Sequence, residues 1–139
     1  MREVIITKQP LTLVGNSAII PQELVKRLEE GRNEELRRQL SKASCPELIK
    51  IEPAPWKEIK HNLYKATFTW NEEKGPEIVD QDYNTIKNQS LSINSIIIAK
   101  LIFVQTGYSA RDQQSIGTKL ALKGLQIVTE RNLGDPWLD

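Results

Sequence analysis

A run of basic and aromatic residues in the middle of the sequence has the residue types that a surface for single-stranded nucleic acid needs. Its members are Trp56, Lys57, Lys60, Tyr64 and Lys65. Ammonium groups can follow the phosphates of a strand, while aromatic faces stack on its bases. These residues are therefore the candidate nucleic-acid-binding site.

The same run also has an interpretation in which it binds nothing. From position 63 to 70 the sequence alternates, with Tyr64, Phe68 and Trp70 on one side and Lys65 and threonines on the other. This is the clearest strand pattern in the chain, and a half-buried strand places its aromatic side in the core. Nearby glutamates dilute the positive charge. We favour the core interpretation of the aromatic side and leave open whether it is instead a binding surface.

Carboxylates near position 80 are the natural place to look for metal-dependent chemistry. Asp80 and Asp82, with Glu77 before them, could share a divalent ion through hard oxygen ligands and support a metal-dependent hydrolase. No glycine-rich phosphate loop or nucleophile elbow accompanies them in the sequence. The hydrolase is therefore the last of three functional hypotheses.

The counts of histidine and cysteine restrict catalysis further. The chain has one histidine, His61, and one cysteine, Cys45. An internal disulfide and a zinc site built from four soft ligands are therefore both impossible. A catalytic triad would have to use His61, whose sequence neighbours are polar. We expect no enzyme activity, no catalytic residue, no cofactor and no metal.

Small residues recur at steps of four and three near the C-terminus. They are Gly117, Ala121 and Gly124, and Val128 follows them. On a helix these residues would share one side and form a shallow groove, and each glycine there would cost roughly 0.5–1 kcal/mol relative to alanine. The groove could pack within this chain or dock another one. These residues are the candidate protein-binding site.

Secondary structure must position all these groups, and its signals change along the chain. Short β-branched runs before Pro21 predict strands. Pro21 suits the first turn of a helix, and Gly31 divides the charged stretch that follows, which predicts either one bent helix or a pair. From Ile86 to Val104 apolar residues recur at steps of three and four, which favours a helix. Residues 96–104 are also rich enough in β-branched side chains to form a buried strand instead.

The fold class that follows is α+β, in a single domain of residues 1–139. We expect a small, mostly antiparallel sheet with a charged N-terminal helix or helix pair. A C-terminal helical hairpin, carrying the small-residue groove, should pack against the rest. Pro53 and Pro55 mark a weak internal connector near 52–56.

The overall composition is that of an ordinary folded domain. Of its 139 residues, 39% are hydrophobic and 27% are charged, which argues against disorder. The net charge of +1 creates no global attraction to nucleic acid or an anionic membrane. The longest apolar stretch is interrupted by Lys100 and is far shorter than the roughly 20 residues of a membrane span. The N-terminus lacks the pattern of a signal peptide, so we expect a soluble cytoplasmic protein without a membrane partner.

The absence of a catalytic pattern favours a binding function. Our main hypothesis is a non-enzymatic subunit of a larger intracellular complex. It would bind protein partners through the C-terminal hairpin and the 56–70 segment. The alternative is a single-stranded nucleic-acid-binding module that uses the basic and aromatic strand surface.

Overall fold

The computed structural model describes residues 4–70, 75–85, 96–109 and 114–127. Within these ranges it contains one α-helix, α1, one short 3-10 turn (Pro46–Leu48) and nine β-strands. The elements in chain order are β1 (Val4–Ile6), β2 (Leu11–Val14), β3 (Ser17–Pro21), α1 (Gln22–Ser41), β4 (Lys50–Ile51), β5 (Trp56–Lys60), β6 (Leu63–Thr69), β7 (Glu77–Val79), β8 (Ile96–Ser109) and β9 (Ser115–Ile127).

Five of the strands close into a barrel in the order β2, β3, β6, β9, β8 and back to β2. All neighbouring pairs in this ring are antiparallel except β6 and β9, which are parallel. Strand β1 extends the line of β2 along the same edge of β8. Between them, Thr7 exchanges two hydrogen bonds with the Leu101 backbone, donating from its N–H at 3.0 Å and accepting at its hydroxyl at 2.9 Å. The break between β1 and β2 therefore leaves no unpaired groups on Leu101.

The remaining short strands complete the edges that the ring leaves open. Strands β4, β6 and β7 pair in parallel with successive parts of β9. Strand β5 pairs with β6 where β9 does not reach it. Strand β9 is therefore paired along both edges for most of its length, which explains why so many of its residues are buried.

The barrel interior is filled by alternate residues of the strands. Phe68 and Phe103 meet edge to face, with ring centroids 5.1 Å apart. Helix α1 inserts Val25 and Leu28 into the same cluster and so closes one end of the barrel. The Leu28 carbonyl also accepts a hydrogen bond of 3.0 Å from the Gln105 side chain on β8. Helix and barrel therefore share one core.

The predicted C-terminal helical hairpin is wrong, and with it the α+β class. Strands β8 and β9 form a long antiparallel hairpin, paired from Ala99 with Ile127 to Ser109 with Ile116. The error has a physical cause, because residues four apart share a face in a strand as well as in a helix. Buried residues alternate with less buried ones from 96 to 103, which shows that period two prevails. The first half of the expected helix, residues 86–95, lies outside the described residues.

Two other predicted elements are confirmed, the charged helix and the alternating strand. The charged stretch after Pro21 forms a single helix that runs through Gly31 without a break, and the alternating run forms β6. The sheet is larger than predicted, since its nine strands are organised around a closed barrel. No helix among the described residues is both long and apolar enough to cross a membrane.

Candidate nucleic-acid interface

Three of the predicted lysines lie together on the outer face of the β5–β6 hairpin. Lys57 is paired directly with Lys65, and Lys60 is paired with Leu63 at the end of the hairpin. Paired residues in a sheet point to the same side. The side chain of Ala66 is fully buried, so the side chain of its neighbour Lys65 points outward. All three lysines are exposed. We call Lys57, Lys60 and Lys65 the lysine cluster.

The lysine cluster concentrates like charge. Directly opposed like charges in a sheet destabilise it, and Lys57 faces Lys65 across a strand spacing of about 4.8 Å. Among the described residues, no salt bridge to either lysine is found. A bound anion would relieve this repulsion, so the arrangement favours an anionic ligand.

The predicted aromatic residues do not share that face. Trp56 is paired with Ala66, points into the barrel and is only 9% exposed. Tyr64 is paired with Ile20 and is partly buried against the core. Burial, followed by the charges of Glu58 and Glu29, raises the pKa of the Tyr64 hydroxyl. Tyr64 therefore lies near Glu58 and Glu29, on the side of β6 opposite to Lys65.

The alternation of the sequence explains this separation. Lys65 and Tyr64 are adjacent in one strand, so they must point to opposite sides of the sheet. Phe68 is fully buried and Trp70 packs against the core, which confirms the core interpretation of the aromatic row. The structure places the lysines together on one side of the sheet and the aromatic rings on the other side.

Aliphatic side chains stand beside the lysine cluster, and the sequence prediction missed them. Ile19 on β3 is paired with Lys65, and Val14 on β2 is paired with Ile96 on β8. Their exposed fractions are 40%, 51% and 61% for Ile19, Val14 and Ile96. The sequence held little signal for this face, because apolar residues occupy both sides of β3 and the neighbouring Ile20 is the buried one. We call Val14, Ile19 and Ile96 the aliphatic strip.

The predicted protein-binding groove does not exist as a helix surface. Gly117, Ala121 and Gly124 lie on β9, where neighbours of the same chain already cover the two glycines. A Cβ on Gly117 would stand 2.6 Å from the Tyr108 hydroxyl oxygen, and one on Gly124 would stand 3.2 Å from the Glu77 carbonyl oxygen. Val128 lies outside the described residues. The small residues permit close packing within the barrel.

The acidic segment after β7 forms a turn. The Asp80 carboxylate accepts hydrogen bonds from the backbone N–H groups of Asp82 at 2.8 Å and Asn84 at 2.9 Å. These two bonds lower the pKa of Asp80, and the bond donated by Asn84 has the larger effect. Glu77 accepts a hydrogen bond of 3.0 Å from the Thr85 hydroxyl. Within the part of the chain that the structure describes, no three His, Cys, Asp or Glu residues are placed to hold a metal ion. The described residues of this turn therefore supply no metal-binding cluster for the hydrolase hypothesis.

Comparison with known proteins yields a likeness of fold. No family model and no curated protein matches this sequence. Among solved structures, the chain resembles gp2.5, a single-stranded DNA binding protein encoded by bacteriophage T7. The TM-score is 0.67, and the match covers 92% of this chain and 87% of that chain at 10% sequence identity. A five-stranded Greek-key barrel is the architecture of the OB-fold. The chain therefore has an OB-like fold in common with that phage protein.

Proposed function

We propose that this protein binds single-stranded nucleic acid through the outer face of β3, β5 and β6. The observation that carries the proposal is the position of the lysine cluster on the outer face of the barrel. OB-folds bind oligonucleotides on the face formed by their second and third strands. Along this chain the second and third strands of the ring are β3 and β6. Lys65 lies on that face, and Lys57 lies directly beside it.

The lysines supply affinity for phosphates rather than for particular bases. Each ammonium is a point charge with three donors and no planar fork to read a base edge. Contacts of this kind release condensed counterions and make affinity fall with salt. The expected binding is therefore electrostatic and tolerant of sequence.

The neighbouring aliphatic side chains favour a single strand over a duplex. In a duplex the base faces are stacked on one another and only phosphates and groove edges are accessible. A single strand exposes both its phosphates and its base faces. A face that combines lysines with exposed aliphatic residues matches the single strand.

The hypothesis of a protein-docking subunit loses its main surface in this structure. Its helical hairpin is a pair of barrel strands, and both of its groove glycines are covered from within the chain. What remains of it is the 56–70 segment, whose exposed lysines fit an anionic ligand. Non-enzymatic binding of nucleic acid is therefore the function that the geometry supports best.

A salt titration of binding tests this proposal. Binding of a labelled oligo-dT is followed by fluorescence anisotropy for the wild type and for Lys57→Gln/Lys65→Gln. The slope of log K against log salt should become shallower by about 1.4, since each phosphate contact to a single strand contributes about 0.7. The matched control, Lys26→Gln/Lys42→Gln, removes the same charge from helix α1 and from its C-terminal cap. Absence of binding by the wild type, or equal slopes in the two double variants, would contradict the proposal.

A further inference from the structure

The aliphatic strip and the lysine cluster form one continuous surface. Ile19 lies in the same cross-strand row as Lys57 and Lys65. Val14 lies one strand further on, paired with Ser17 on β3 and with Ile96 on β8. The surface thus carries the lysines at its β5 side, with the exposed Leu63 among them, and the aliphatic strip toward its β8 side.

The exposure of the strip needs an explanation, because aliphatic residues of this size cost free energy when they face water. Each of the three is at least 40% exposed, and they lie on neighbouring strands. Covering such side chains with a ligand removes their apolar surface from water, which favours the bound state. A ligand that covers both parts of the surface must be anionic on one side and apolar on the other. A single strand of nucleic acid has this division, with phosphates along one edge and base faces along the other.

We propose that bound bases pack on the aliphatic strip of Val14, Ile19 and Ile96 while the phosphates of the same strand face Lys57 and Lys65. This inference rests on the proposed function and adds a defined sidedness to it. The bound nucleic acid lies on the barrel surface with its bases toward β2 and β8 and its phosphates toward β5. Aliphatic packing, without a ring to stack on, leaves the contact with bases weak and insensitive to base identity.

Adding an aromatic ring to the strip tests this sidedness by a gain of affinity. If bases lie over Val14, the variant Val14→Phe offers them a stacking partner, and binding of oligo-dT should tighten roughly fivefold or more. The slope of log K against log salt should stay as in the wild type, because the phosphate contacts are unchanged. A second variant, Ile96→Phe at the most exposed position of the strip, should show the same effect.

The matched control places the same ring elsewhere on the barrel. Ile6 on β1 is 56% exposed and is paired with Ile102, whereas Val14 is paired with Ile96. The two positions are therefore about 20 Å apart along β8. Ile6→Phe should leave binding at the wild-type level, and thermal melts monitored by circular dichroism establish that each variant is folded.

The outcomes separate this inference from the function on which it rests. Absence of oligo-dT binding by the wild type would overturn both. Salt-dependent binding that is weakened by Lys57→Gln/Lys65→Gln but unchanged by Val14→Phe and Ile96→Phe would leave the function standing and overturn the sidedness. A dimer of the wild type in sedimentation, dissociated by Val14→Asp without loss of DNA binding, would also overturn it by assigning the strip to a second copy of this chain.

Discussion

At the scale of single residues, Gly117 of β9 shows how closely a side chain packs on the neighbouring strand. The Tyr108 side chain lies across Gly117, its cross-strand partner. Tyr108 is 37% exposed, so its ring can move aside at a modest cost. A glycine in this position lets a large ring cover the strand pair.

The variant Gly117→Ala should lower the free energy of unfolding by about 1 kcal/mol, because the partly exposed Tyr108 ring must move aside from the added Cβ. In a Tyr108→Ala background the same substitution should cost nothing, since alanine is preferred to glycine in a strand. Urea unfolding of the four proteins in this double-mutant cycle measures the coupling. An equal cost in both backgrounds would show that the ring is not the obstacle.

Asp80 makes stability depend on pH in a direction that the structure determines. Its pKa is lowered in the folded chain by the hydrogen bonds from Asn84 and Asp82. The unfolded pKa of an aspartate is about 3.9. The stabilisation is therefore complete above that value and is lost as the pH falls through the lower, folded pKa.

Replacement of the carboxylate should remove this dependence. Between pH 5 and pH 2, Asp80→Asn should lose less stability than the wild type in urea unfolding. Asp82→Asn removes the same charge two residues away and serves as the control, since the Asp82 backbone donates to Asp80 and its side chain accepts no such bond among the described contacts. Parallel pH profiles for the wild type and Asp80→Asn would contradict the assignment.

At the scale of elements, Arg32 links the helix to the barrel by hydrogen bonds. Arg32 interrupts the apolar side of α1, and its hydrogen bonds explain the presence of a cation at this position. Its guanidinium donates to the Thr118 hydroxyl at 2.8 Å on β9 and to the Glu52 carbonyl beside β4. Burial is the main cause that lowers the pKa of Arg32 from its usual value. One side chain thus joins three elements.

The variant Arg32→Met should lose about 1–3 kcal/mol of unfolding free energy, because it leaves the Thr118 and Glu52 groups without this donor. Arg32→Lys should recover only part of that loss, since an ammonium lacks the fork that reaches two acceptors. Arg37→Met, at an exposed position of the same helix, is the control for general effects of the substitution. Chemical denaturation compares all three, and full recovery by lysine would show that charge alone matters.

The elements also show where sequence patterns suffice and where they do not. The helix after Pro21 and the strand around Phe68 follow from local signals, since each has a distinct period and a clear boundary. The isoleucines from position 96 onward do not decide between periods, because steps of four fit both. Their pairing with β2 and β9 decides it, and that information lies far away in the chain. The candidate site shows the same limit. The lysines could be selected from the sequence, but the aliphatic strip appears only when β2, β3 and β8 are placed side by side.

At the scale of the whole molecule, closure of the barrel turns a chain with a net charge of only +1 into one with a local cationic face. The inward positions of the ring are taken by the core, and the lysine cluster lies on the outer face. Glu58 is paired with Tyr64 and so lies on the other side of the β5–β6 hairpin. The proposed binding therefore depends on the arrangement of charge rather than on its total.

This arrangement predicts a preference among nucleic acids that a simple polycation would not show. At low salt, oligo-dT should bind at least about tenfold more tightly than a duplex of equal length, because only the single strand can place base faces on the aliphatic strip while its phosphates contact the lysines. The duplex meets the same lysines without burying Val14, Ile19 or Ile96. Competition titrations monitored by anisotropy measure the ratio, and Val14→Phe should increase it since the added ring strengthens only the contact with exposed bases. Equal affinities for strand and duplex would mean that the face attracts phosphates alone.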